Sequence, residues 1–263
     1  MCTLTLAWQV FEDAPVAVAA NRDEALERDS LPPAVYRTDP LVVAPTDAAA
    51  GGTWIGYNEF GVFAGITNGW TDADLAGERS RGLLVADVLE AESVLAANAV
   101  LSDAVAADEY DAFNLVIADA EDAVCYRWDG HLDRTAFDPG VHVVVNAAVD
   151  DEVVVPPSRP DAAREQARNA RRVRRALSVD TTDPGEPVEA WLERAGSVLA
   201  DHEYGVCLHE DGFGTRSSSL IALGGTSTYR FAPGPPCRTS YEGVRSPTDS
   251  AGSDADGDVE GHI

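Results

Sequence analysis

The chain has 263 residues, 45 of them acidic and 19 basic, for a formal net charge of -26. Every basic residue is Arg, and the absence of Lys excludes the standard P-loop, the Schiff-base lysine of a pyridoxal enzyme and the protein-kinase strand lysine. The charge would repel phosphates over most of the surface, so no nucleic-acid partner is expected.

Hydrophobic residues make up 45%, enough to bury a core. Of the acids, 27 are Asp, spread from Asp13 to Asp258. Self-repulsion on this scale opposes a compact state unless salt screens it, so the composition reads as adaptation to a salty cytoplasm, a halophilic signature. No apolar run reaches the about 18 residues of a membrane span. The run Val16–Ala20 follows Glu12, Asp13 and Pro15 rather than the basic region of a signal peptide. Cys2, Cys125, Cys207 and Cys237 show neither CxxC spacing nor the density of a disulfide scaffold, which fits a reducing cytosol.

Thr3–Val10 and Val16–Ala20 read as strands of a hairpin turning over Glu12-Asp13-Ala14-Pro15. Gly52–Tyr57 and Gly61–Thr67 form a second pair around Asn58-Glu59. Arg81–Val105, rich in Ala, Leu and Val with acids at helical spacing, predicts a helix with a break near Ala97-Asn98. Strands resume at Phe113–Ala118, Ala123–Asp129, Leu132–Phe137 and Val141–Asn146, with Asp129-Gly130 as a hairpin turn. One helix starts in Pro157–Asp161 and runs to about Leu177; another follows Pro187 and ends near Asp201. Ser217–Leu223 and Thr226–Phe231 close the pattern as a hairpin across Gly224-Gly225. Residues 1–244 are expected to form a single domain, and the Ser/Asp/Gly-rich segment 245–263 reads as a disordered acidic tail. Hairpin-linked strands interrupted by helices give an α+β class, with antiparallel sheets covered by helices rather than a doubly wound parallel sheet.

The chain opens Met1-Cys2-Thr3. Removing the initiator would leave Cys2 with a free α-amine, a nucleophile carrying its own base: the amine titrates near ~7.7–8.0 and the thiol near ~8.5. A Cys in a strand is also an ordinary buried residue, so the chemistry depends on its neighbours. Asn21-Arg22-Asp23-Glu24 ends the second strand, and alternation puts Asn21 and Asp23 on one face, Arg22 and Glu24 on the other. An Asp beside Cys2 would orient the amine; an Arg there would lower the thiol pKa. Two apolar strands end in amides, at Asn68 and Asn146. Such a donor is what an oxyanion hole needs, and equally what caps a turn. His202, Cys207 and His209 lie close together but lack His-x-x-x-His or CxxC spacing, so no metal site is expected. The arginines of Arg164–Arg175 read as neutralising an acidic neighbour.

Met1-Cys2-Thr3, the Asn-Arg-Asp-Glu tetrad, Gly51–Gly56, Thr67-Asn68 and Gly214-Thr215-Arg216-Ser217-Ser218 occur in an order that resembles the NRDE family, also called the transport and Golgi organisation family. The resemblance spans residues 2 to about 220. That family in turn resembles cysteine-type N-terminal-nucleophile hydrolases such as choloylglycine hydrolases and penicillin V acylases. The resemblance implies a four-layer sandwich, two stacked antiparallel sheets flanked by helices. It implies Cys2 as nucleophile, Asp23 as partner of the amine, Asn68 and Asn146 as oxyanion donors, and a late Arg at Arg216. The hydrolases carry an Arg immediately before Asn-x-Asp; here that position is Ala20, and Arg22 and Arg216 are the candidates to replace it.

The expected function is hydrolysis of a non-peptide amide or acylated small molecule, which requires no cofactor. The alternative that the family resemblance implies is a non-catalytic haem- or lipid-handling or trafficking-related module on the same fold, with haem as a ligand. Either way the partner is a small molecule, and the location is cytoplasmic.

Overall fold

The computed structural model describes residues 2–179 and 185–245. The chain begins with β1 (Thr3–Trp8), β2 (Val16–Ala25), β3 (Ser30–Thr38), β4 (Leu41–Asp47), β5 (Ile55–Asn58) and β6 (Phe63–Asn68). Helices α1 (Arg81–Val88) and α2 (Val94–Ala107) follow. Next come β7 (Phe113–Ala118), β8 (Ala123–Trp128), β9 (Leu132–Ala136), β10 (Gly140–Val145), β11 (Ala148–Val149) and β12 (Glu152–Val153). Helices α3 (Pro160–Leu177) and α4 (Val188–Ala200) lead through a 3-10 turn, His202–Tyr204, into β13 (His209–Glu210), β14 (Phe213–Leu223), β15 (Thr228–Ala232) and β16 (Glu242–Gly243).

Two antiparallel sheets result. A nine-stranded sheet runs β12-β11-β10-β1-β2-β14-β15-β16, with β13 on β14; a seven-stranded sheet runs β3 to β9 in chain order. Strand alternation decides what each face buries. In β1 and β2, Leu4, Leu6, Trp8, Val16 and Val18 fill the core between the sheets. Their neighbours Ala7, Ala17 and Ala19 face α3 and α4, where small side chains let Trp191, Leu192 and Leu199 pack close. A third core, including Leu84, Leu101, Phe113 and Leu115, lies between the seven-stranded sheet and α1 and α2. The layers are therefore helix, sheet, sheet, helix, as the sequence predicts. No helix among the described residues is long and apolar enough to cross a membrane.

Three local expectations change. β2 continues through the polar tetrad to Ala25 because β14 pairs along its whole length, from Leu223 opposite Val16 to Phe213 opposite Ala25. β3 and β4 fill a stretch with no expected strand; Pro32-Pro33 hides β3, and prolines are tolerated there because β3 is an edge. The helical segment from Arg81 breaks between Val88 and Val94, not at Ala97-Asn98. Ser93 caps the second helix by accepting from Ala96 N at 3.2 Å. At the far end, Val244 N still donates to Tyr229 O at 2.8 Å. The tail expectation lies, from residue 246 on, outside the described residues.

Candidate active site

Cys2 precedes β1, which lies between β2 and β10. Thr3 stands opposite Asn21 on one side and Val145 on the other, so Cys2 comes level with Arg22 and Asn146. The Cys2 backbone nitrogen donates to Asn146 Oδ1 at 2.9 Å, and its Sγ lies 3.6 Å from the Asp23 carbonyl oxygen. Asn146 Oδ1 also accepts from Gln166 Nε2 at 3.2 Å, while Gln166 Oε1 accepts from Ala147 N at 2.6 Å. Two donors on Oδ1 fix the orientation of the Asn146 amide. Its NH2 keeps its donor capacity, and Asn146 lines the cavity described below.

The tetrad divides its work by face. Asn21 Nδ2 donates to Leu199 O at 3.0 Å and Val206 O at 2.8 Å, tying β2 to the end of α4. Arg22 points the other way; its guanidinium lies 4.1 Å from the Trp54 ring centroid and 3.3 Å from Asp47 Oδ2. Burial pulls the Arg22 pKa down, opposed by Glu24, Cys2 and Asp47. Asp23 stands opposite Thr215, whose hydroxyl donates to Asp23 Oδ1 at 2.5 Å. Burial pushes Asp23 up to about 6, against the pull of the positive chain terminus and of the Thr215 hydrogen bond. The Cys2 thiol is also raised, first by burial and then by the charge of Asp23, with the terminus and Arg22 opposing.

Asn68 stands exposed at the end of β6. With Asp23, Trp70, Asn146, Arg159 and Leu208 it lines a cavity of about 540 Å³. Buried Asn114 spans the two sheets here, donating to Thr67 Oγ1 at 3.1 Å and Val145 O at 3.0 Å. It thereby holds the ends of β6 and β10, and so Asn68 and Asn146, in relation. Cys2 does not line that cavity; it lines a separate void of about 20 Å³ with Arg22, Trp54 and Thr67, so Asp23 and Asn146 rather than Cys2 itself open onto the space of about 540 Å³. A larger cavity, about 850 Å³ around Asp13, Tyr57 and Gly224, lies at the opposite end of β1 and β2 and is lined by none of the candidate residues. Size favours that cavity; the chemistry favours the smaller one.

Arg216 is not brought to Cys2. A bulge between Thr215 and Ser217 takes it out of register, and its guanidinium bonds the Leu26 carbonyl at 2.5 Å. Of the two candidates to replace the Arg absent at Ala20, the one whose charge acts on the thiol is Arg22. Sequence reasoning also passes over Thr215, Gln166, Asn114 and Arg81. Arg81 opens α1, donates to Ala112 O at 2.7 Å and feels the charge of Cys2. Gln166 left a readable signal, as the polar member of the buried stripe Ala163, Gln166, Ala167, Ala170 on α3. Among the described residues, a donor set of metal-ligand type occurs elsewhere, at His202, Cys207, His209 and Cys237.

Solved structures share this architecture. Penicillin V acylase from Agrobacterium tumefaciens is 16% identical, with a TM-score of 0.53 over 88% of this chain and 83% of its own. A mutant conjugated bile acid hydrolase from Clostridium perfringens is 12% identical, with a TM-score of 0.54 over 89% of each chain. At such identities the likeness is one of fold, and the fold is that of the N-terminal-nucleophile hydrolases. In sequence, the Transport and Golgi organization protein 2 homolog of Bos taurus is 26% identical over 234 residues, 78% of this chain and 81% of its own. The profile of the Transport and Golgi organisation 2 family matches residues 1–232, and the chain belongs to that family.

Proposed function

We propose that this protein is an N-terminal-cysteine hydrolase acting on a non-peptide amide or an acylated small molecule. The observation that carries the reading is the 2.9 Å bond from the Cys2 nitrogen to Asn146 Oδ1, with the Asp23 main-chain carbonyl beside the sulfur. Loss of Met1 turns that nitrogen into an α-amine. Because burial and Asp23 hold the thiol above its ordinary value, Cys2 is a neutral thiol at neutral pH and needs a base. The α-amine, titrating near ~7.7–8.0, supplies one on the same residue.

The amine takes the thiol proton as Sγ bonds to the substrate carbonyl carbon. The negative charge developing on the carbonyl oxygen meets the NH2 groups of Asn146 and Asn68, donors each worth about 100- to 1,000-fold in rate in such sites. Collapse breaks the carbon–nitrogen bond, and the amine returns its proton to the leaving nitrogen. Water, deprotonated by the same amine, then hydrolyses the thioester. Asp23 holds the amine in place, and Gln166 holds Asn146.

Fold alone does not separate this from a module that binds haem or lipid without chemistry. The test is the intact mass of the purified chain before and after exposure to a panel of N-acyl amides and haem. The expected result is loss of Met1 and an acyl adduct, with acylation slowed at least about 1,000-fold in Cys2→Ser and unaffected in Cys125→Ser. Retention of Met1, or retained haem with no acylation, overturns the hydrolase in favour of the binding module.

A further inference from the structure

We propose that His202, Cys207, His209 and Cys237 form a tetrahedral zinc site that fixes one wall of the candidate active site. Each offers one ligand atom, and these atoms all lie within 4.8 Å of one another. His209 Nε2 is 3.1 Å from Cys237 Sγ and 3.7 Å from Cys207 Sγ. Tetrahedral zinc, with bonds of about 2.3 Å to sulfur and about 2.0–2.1 Å to nitrogen, sets sulfur and nitrogen about 3.6 Å apart. The two distances bracket that value. The imidazoles of His202 and His209 meet edge to face, with centroids 5.2 Å apart.

The ligands converge from separate elements, which local spacing could not reveal. His202 sits in the 3-10 turn after α4, Cys207 in the following loop, and His209 opens β13. Cys237 arrives from the turn after β15, closed by Arg238 N and Thr239 N on Pro235 O. The sequence therefore presents three ligands, and the fold adds the fourth. Two thiolates with two imidazoles suit zinc over magnesium or calcium, which favour oxygen donors. Four protein ligands leave no open position, so the site is structural rather than catalytic. Each thiol releases its proton to solvent as the ion binds. His202 is exposed and Cys237 partly so, which gives the ion access, while Cys207 is buried.

The position gives the ion a function. Gly205 and Leu208, between the ligands, line the cavity shared by Asp23 and Asn146. Val206 O receives Asn21 Nδ2. Leu208 N donates to Thr215 Oγ1 at 2.9 Å, and that hydroxyl donates on to Asp23. An ion clamping this loop would hold Thr215, and through it Asp23, in place. This last link rests on the hydrolase reading; the metal site itself does not.

The test uses the full chain, reduced, stripped with a chelator and titrated first with Co²⁺, then with Zn²⁺. Expected are one ion per chain, sulfur-to-cobalt charge transfer with tetrahedral d–d bands, and displacement of cobalt by zinc. Cys237→Ser should weaken zinc binding more than about 100-fold, beyond the effect of losing an outer-shell contact. His202→Ala removes a ligand from an exposed turn and should do the same with the fold intact by circular dichroism. Cys2→Ser and His131→Ala should keep one ion per chain, because neither residue belongs to the cluster. Unchanged affinity in the ligand variants overturns the site. So does a reduced chain that binds no metal but loses two hydrogens to a Cys207–Cys237 disulfide on oxidation.

Discussion

Asp23 is a carboxyl kept where ionisation is unfavourable. In the unfolded chain it titrates near 3.8 and in the fold at about 6, with burial as the leading cause. Between those values the folded protein holds a proton that the unfolded chain has released. Its contribution to stability is thus complete below 3.8 and lost as pH rises through about 6. At about 1.36 kcal/mol per pKa unit, the loss approaches about 3 kcal/mol. Asp23→Asn removes this titration. Urea unfolding should show the variant gaining up to about 3 kcal/mol on the wild type between about pH 4 and about pH 7.5. A stability difference that stays constant across that interval would contradict the raised pKa. The same charge is what the proposed mechanism uses to hold the amine, so the acid limb set by the amine near ~7.7–8.0 should remain in the variant, while the further fall in acylation rate below about pH 6 should vanish. Such a residue is destabilising in the resting protein and useful only in the reaction.

At the scale of elements, β2 joins the site to the scaffold. Asn21 bonds two carbonyls, Leu199 O and Val206 O, that no other side chain satisfies among the described residues. Asn21→Ala should cost about 1–3 kcal/mol in chemical denaturation, since it leaves both carbonyls buried without that donor. A loss below about 0.5 kcal/mol, the range of a neutral surface change, would mean that α4 is held by its apolar contacts alone. This dual use of β2 also explains what was legible beforehand. The first hairpin, the strands from Phe113 to Val145 and both later helices carry their pattern locally, in alternation or helical spacing. The tetrad looks like a strand end because β1 pairs only its first residue, Asn21, and the rest is paired by β14, about 190 positions later in the chain. Cys2, Asp23 and Asn146 could be named because an N-terminal Cys and strand-end polar residues are visible one at a time. Thr215 shows only as part of a motif and Gln166 only as the polar member of a buried stripe, because each acquires its role from a partner across the fold. The family resemblance implies Arg216 in the site, and a single bulge turns it to the Leu26 carbonyl instead.

Over the whole molecule, the decisive quantity is charge. Some acids are matched: Arg171 and Arg174 of α3 reach Asp151 at 2.9 and 3.2 Å, so the arginine-rich helix does face acidic neighbours. With 45 acids and 19 arginines, the excess of 26 cannot be paired within the chain. Two electrostatic effects then compete as salt rises. Exposed ion pairs such as Arg171–Asp151 weaken, but each is worth only about 0–1 kcal/mol. Repulsion among the unmatched acids weakens too, as the screening length falls from about 10 Å at 0.1 M to about 3 Å at 1 M. Repulsion acts over all the excess charges, whereas each exposed pair contributes little and is partly screened already, so repulsion should dominate. The melting temperature is therefore expected to rise between about 0.1 M and about 1 M NaCl, by about 2–4 °C for each kcal/mol of repulsion removed. Sucrose at matched osmolality separates charge screening from general solute exclusion, because it leaves the screening length unchanged. A melting temperature that stays flat or falls with NaCl, or that rises equally with sucrose, would leave the acidity without the role in salt tolerance proposed for it.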